Sequence, residues 1–342
     1  MKFRGRALNP VLARELKERM RGKRAVVILT VYLAILAAAA QLIYRSASRD
    51  RSAFLIGPDP LAAASVGRSM FETLLTFMVV LVLFIVPGMT AGSVAGERER
   101  RTLAPLQVTL MSPRSILAGK LMASLAFGVY LVLAALPLVS VAYIVGGVTI
   151  MEVVRGIAMV LVIAVTIACI ALWCSTFMSM VQPAILAAYT VVLALLAGTF
   201  LVYGAETLLL NTNASNRDAN KAVLVLNPLL ATADIVRGKA GALQVVDTPL
   251  TSMQKLVAVD QGRNRLRFGV RTAAPQVVTT APGRINIVGQ PQAPLFRVPT
   301  KSKWHAIPFW SKTLIVYAGL SVLAFLLSVR RLRTPSAAGM FT

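Results

Sequence analysis

Six long apolar stretches alternate with charged segments along the chain. They run from about Ala25 to Tyr44, Phe71 to Ala95, Leu117 to Val145, Val153 to Phe177, Pro183 to Tyr203 and Phe309 to Val329. At about 1.5 Å of rise per residue, each is long enough to cross a hydrocarbon layer about 30 Å thick. The pattern predicts an all-α integral membrane protein with six transmembrane helices. Before the first span, Leu8, Leu12, Leu16 and Met20 recur every four residues, with Arg14, Lys17 and Arg21 on the other side. That is an amphipathic N-terminal helix at the membrane interface, capped by Asn9 with Pro10 at its first position. Between spans five and six the pattern changes. Val277–Thr280 and Ile285–Val288 are short β-branched runs, punctuated by Pro282-Gly283 and Gly289, which predicts a long, partly β loop or small domain.

The organisation is therefore an interfacial helix over 1–24, spans one to five over 25–203, an extracytoplasmic segment over 204–308, and the last span with a basic tail over 309–342. The first apolar run is too long for a signal-peptide core and reads as a retained anchor. Basic residues set the orientation. Residues 1–24 are rich in Lys and Arg, and Arg330, Arg331 and Arg333 follow the last span. By the positive-inside bias both termini are expected in the cytoplasm of a multi-pass inner-membrane protein, which needs an even number of spans. Segment 204–308 carries thirteen Lys and Arg, yet this parity places it outside. Long segments are translocated largely regardless of charge.

Composition narrows the function. Lys and Arg number 36 against 13 Asp and Glu, a net charge of +23, but only 14% of residues are charged. The basic residues flank apolar spans, so anionic lipid headgroups explain them and no nucleic-acid partner is expected. Cys169 and Cys174 lie on different helical faces and His305 is the single histidine, which leaves no zinc cluster and no histidine triad. Away from their edges the spans show no Asp, Glu, Lys or Arg. Arg68, Glu72, Glu152 and Arg155 fall at those edges, where long side chains reach the interface. Carriers driven by protons or sodium usually need ionisable groups at mid-membrane, so a self-powered carrier is disfavoured. No phosphate loop of the form Gly-x-x-x-x-Gly-Lys-Ser/Thr occurs; Gly119-Lys120 is followed by Leu121. Uphill work then requires nucleotide chemistry on another polypeptide, delivered through a cytoplasmic surface.

The segment from Gly96 to Lys120 suits that surface. Glu97, Arg98, Glu99, Arg100 and Arg101 alternate in sign, Leu103, Leu106 and Leu110 follow at helical spacing, and Ser112-Pro113 leads into the third span. Gly88, Gly92 and Gly96, after Pro87, are spaced by four on span two. Small residues at that interval let helix backbones approach closely. The face either lines a pathway or meets a second membrane subunit, or else packs within one subunit. Pro87 and Pro137 are expected to bend their spans.

The stretch Asn9–Arg21 before the first span, and more closely Ala91–Ala123, resemble the permease subunits of type-2 ATP-binding-cassette (ABC) transporters. Leu226–Gly238 is similar to a segment that follows their fifth span. The resemblance implies a six-span permease of an exporter, working with cytoplasmic ABC ATPase subunits and a second permease, identical or homologous. It implies no cofactor on this chain, ATP being bound by the partner. Its coupling positions would be Glu97, Arg98, Glu99, Arg100, Thr102, Leu103, Leu106, Thr109, Ser112 and Pro113. Ala104-Pro105 departs from the acidic residue that often follows Thr-Leu in the family, and the 204–308 segment is longer than in its simplest members. The alternative function is a membrane-anchored scaffold or assembly protein whose 204–308 segment binds a partner. An intramembrane enzyme would need carboxylate pairs or a metal set within the spans.

Overall fold

The structure is a computed structural model that describes residues 23–49, 60–101, 113–209, 223–237, 277–279, 285–287 and 309–333. Among the described residues, six helical spans are long and apolar enough to cross a membrane: Ala25–Ser46, Ala63–Glu99, Arg114–Val145, Ile150–Phe177, Val181–Ala205 and Phe309–Leu332. Their order and number agree with the hydropathy pattern, and the chain is a multi-pass all-α membrane protein.

Span one is helix α1 (Lys23–Arg49). Span two consists of α2 (Pro60–Thr90) and the short α3 (Gly92–Glu99), separated by a single turn residue at Ala91. Pro87 lies inside α2 and cannot donate to the carbonyl four residues earlier, which weakens the helix one turn before the break. Spans three and four are α4 (Pro113–Val145) and α5 (Ile150–Phe177). Span five is α6 (Val181–Leu193), a π-helical turn over Ala194–Gly198, and α7 (Thr199–Leu209). A further helix, α8 (Pro228–Arg237), precedes span six, α9 (Phe309–Arg333).

Helix α5 is the central member, packed against α2, α4, α6, α8 and α9. Its face of Met159, Val160, Ile163, Ala164, Ile167, Ala168 and Ala171 is buried in one large apolar cluster with residues of α2 and α4. The outward faces are apolar too, with Phe84, Leu133, Leu186 and Val322 all exposed, as expected of side chains that meet lipid tails.

Several span edges extend beyond the apolar pattern, and two of them, at the starts of spans two and four, bring charge into the helices. Span two begins at Ala63, not Phe71, and span four at Ile150, not Val153. Thr149 caps α5 through a reciprocal box: its hydroxyl accepts from the Glu152 amide while Glu152 Oε2 accepts from the Thr149 amide at 2.8 Å. Arg68, Glu72 and Glu152 are accordingly buried rather than reaching out to the interface, whereas Arg155 stays exposed and stacks on Trp310. Their burial corrects the expectation that these side chains reach out to the interface; all three still lie within the first ten residues of their spans.

Within 204–308, the described residues 223–237 return into the bundle. Tyr317 Oη donates to the Leu226 carbonyl at 2.8 Å, and Tyr317 lies eight residues into α9, a depth of about 12 Å along the helix. Asn227 is fully buried; its Nδ2 donates to Leu196 O in the π turn and to Thr199 Oγ1, and its Oδ1 caps α8 by accepting from the Leu229 amide. Non-helical backbone is tolerated at membrane depth only where protein groups satisfy it, and Asn227 supplies two such backbone bonds, to Leu196 O and from the Leu229 amide. Replacing Asn227 with Ala is expected to cost about 2–3 kcal/mol, by leaving buried groups unmatched. A lowered unfolding midpoint in detergent, relative to wild type, checks it. Val277–Thr279 and Ile285–Ile287 pair antiparallel; the rest of the loop expected to be partly β, apart from 204–209 and 223–237, lies outside the described residues.

Candidate functional site

The charged helix α3 sits where the ends of several spans meet, called here the basic end. Of the residues expected to couple, Glu97, Arg98, Glu99 and Arg100 are described, and Pro113 opens α4. Thr102, Leu103, Leu106, Thr109 and Ser112 lie outside the described residues, as do Arg14, Lys17 and Arg21.

Three of the charged side chains are engaged with neighbouring elements. Glu97 Oε1 pairs with Lys120 Nζ at 2.8 Å, and the same ammonium donates to Ser93 O at 3.0 Å. Lys120 is fully buried while the Glu97 side chain is 27% exposed, so α3 and the first turns of α4 share an ion pair desolvated on its lysine side. Arg98 Nη1 donates to Met178 O, the residue that ends α5, at 3.1 Å. Glu99 Oε2 accepts from the Val181 amide at 2.9 Å. That bond supplies the first turn of α6 with a cap that its own Met180 does not provide.

The start of α3 is held from a distance as well. Ala91 precedes it and offers no side-chain acceptor. In its place Ser175 Oγ of α5 accepts from the amides of Val94 and Ala95 at 3.1 and 3.0 Å, as an N-cap contributed by another span. Val94 also packs with Leu117, Leu172 and Val329, so spans two, three, four and six share a small apolar cluster here. The free tip of α3 is polar. Glu99, Arg100 and Arg101 are exposed, and Arg101 turns the chain away with φ +56° in the left-handed region.

The glycine stripe faces α6 of the same chain. A Cβ on Gly88 would lie 2.9 Å from the Tyr189 hydroxyl, and one on Gly92 or Gly96 would touch Val181. Tyr189 Oη uses the opening at Gly88 to donate to the Phe84 carbonyl at 2.6 Å, next to the Pro87 bend. These contacts correspond to packing within one subunit.

Lys120 and Ser175 were not singled out by the sequence. A lone lysine among Leu117, Leu121 and Met122 was a signal for the first; nothing local marks the second.

At the opposite, distal end, Arg68 of α2 bridges to spans three and four. Its Nη1 donates to Gly147 O at 3.2 Å and lies 3.7 Å from Glu152 Oε1, while its Nε lies 3.5 Å from Glu72 Oε1. Span two is thus fastened at both ends. Around Arg155 and Trp310, the amide of Trp310 also donates to Asp234 Oδ2, joining α8 to the start of α9.

Six helices of membrane-crossing length and polarity, with charged α3 bonded to three neighbouring elements, define a polytopic membrane protein. Residues 10–327 match the family described as ABC-2 family transporter protein, and the chain belongs to that family as an ABC-2 permease. No curated protein matches the sequence.

Proposed function

We propose that the chain is the permease subunit of an ABC-type exporter in the cytoplasmic membrane, with both termini and the basic end in the cytoplasm. It forms the translocation pathway with a second permease subunit, identical or homologous. Separate ABC ATPase subunits bind ATP and drive it through segment 96–120. One observation carries this reading: α3, the helix that leads into that segment, is bonded to α4, to the end of α5 and to the start of α6. A displacement at its exposed tip therefore reaches three spans together. An isolated interfacial helix would lack those bonds.

The test is affinity purification of the tagged chain from native membranes, with identification of the chains that come with it. An ABC ATPase is expected. The informative variant is Arg100→Glu with Arg101→Glu, because both side chains are exposed, whereas Glu97 and Glu99 also hold α3 in place. Loss of two favourable interfacial charges is expected to reduce ATPase recovery by about tenfold at unchanged thermal stability. Undiminished recovery counts against the docking surface. Labelling of 96–120 from outside the cell would refute the orientation.

A further inference from the structure

Helix α3 is eight residues long and continues span two through the single residue Ala91, whose amide donates to Pro87 O, while its side-chain attachments run to other spans. Pro87 removes one backbone bond of α2, and Gly88 and Gly92 flank the joint without side chains to brace it. On the far side of the joint, Ser175 Oγ receives two α3 amides, and the buried Lys120 ammonium spans Ser93 O and Glu97 Oε1. The two anchors lie on different spans and grip α3 at its first and second turns.

We infer that Ser175 and Lys120 are positioning residues for coupling. They make α3 travel as one body with the basic ends of spans three and four, and the backbone bond missing at Pro87 lets span two flex as it does so. This rests on the reading that α3 receives the stroke of an ATPase. The physical distinction is one of load path. Without the two anchors, a push on α3 dissipates in the joint; with them it tilts α4 and α5. Lys120 serves better than a surface lysine would, because its buried ammonium cannot part from Glu97 without being left uncompensated, even though the carboxylate is partly exposed.

Hydrogen exchange of the full chain, purified with its native partners and measured with and without ATP and magnesium, tests the inference. In the wild type, ATP is expected to change exchange over 92–99 and also over 114–124 and 170–177. In Ser175→Ala without nucleotide, the Val94 and Ala95 amides are expected to exchange about fivefold faster, the effect of a lost helix cap. With ATP, 92–99 still responds but the response over 170–177 falls by at least half. Ser175→Thr keeps the hydroxyl and restores both. Lys120→Met lowers the response over 114–124, and Lys120→Arg restores it.

An ATP response over 170–177 that survives intact in Ser175→Ala overturns the inference, and so does a failure of Ser175→Thr to restore it once Val94 and Ala95 are protected again. A wild-type chain that purifies without an ATPase, or whose 92–99 ignores ATP, refutes the coupling reading instead. The nucleotide-free comparison then decides the clamp: unchanged Val94 and Ala95 exchange in Ser175→Ala refutes it, and faster exchange upholds it.

Discussion

Arg68→Met is expected to destabilise the protein by about 3–5 kcal/mol, the range for removing one partner of a buried ionic cluster. The side chain is 5% exposed, those of Glu72 and Glu152 are 1% and 11% exposed, and all three sit in helices of an apolar bundle. Removing the guanidinium takes away the cation that both carboxylates face, together with the donor to Gly147 O. Lys in its place keeps a charge but loses the planar fork that reaches α2, α5 and the Gly147 carbonyl at once, so it should recover only part of the loss.

The cause can be separated from simple loss of volume. Adding Glu72→Gln and Glu152→Gln to Arg68→Met removes the buried negative charge. Gln at 152 still completes the capping box with Thr149. The triple variant is therefore expected to regain more than half of the lost stability, measured as the midpoint of denaturation in detergent. A triple variant as unstable as Arg68→Met would mean that packing, not charge, is what Arg68 provides.

This cluster also shows where the sequence was legible and where it was not. The six spans could be read because a hydrocarbon layer imposes one length and one polarity on every helix that crosses it. That argument finds the apolar middle of a helix and truncates its polar ends. Arg68 and Glu72 stand four apart, a spacing that pairs charges on one helical face, and Thr149-x-x-Glu152 is a capping-box signature. Both signals were in the sequence but were overridden by hydropathy. Asn227-Pro228 likewise has the form of a helix start, as Asn9-Pro10 does, though nothing local says that it begins inside the bundle. Re-entry depends on partners 28 and 91 residues away, Thr199 and Tyr317. The charged residues of α3 were legible as a cluster after span two. Their actual partners were not, since Met178, Val181 and Ser175 contribute backbone groups or a common hydroxyl that no pattern marks.

Gly67→Ala is expected to be among the most damaging single-methyl changes in the described bundle, beside Gly147→Ala, whose Cβ would overlap the Ala64 carbonyl oxygen on a left-handed backbone. The turn between spans three and four carries Gly146 and Gly147 with φ of +104° and +80°, and it lies directly on the backbone of α2. A Cβ at Gly67 would overlap the Gly146 carbonyl oxygen and stand 2.9 Å from Ala142 O. The obstacles are backbone atoms, which cannot rotate away as a side chain does, so α2 and the turn must separate. Overpacking of this kind costs about 3 kcal/mol. Gly146→Ala gives the contrast: its nearest atom would be 4.0 Å away, so only the left-handed backbone is penalised, at about 1–2 kcal/mol. Gly319→Ala, in the interior of α9 with nothing within 4 Å, should be neutral or stabilising by up to about 1 kcal/mol. Because the separation forced at Gly67 also pulls Arg68 from Gly147 O, the two sites share one contact. Gly67→Ala combined with Arg68→Met should then cost less than the two losses added together. Strict additivity would mean that the steric seat and the ionic cluster act independently, and that the distal end is held by two fastenings instead of one.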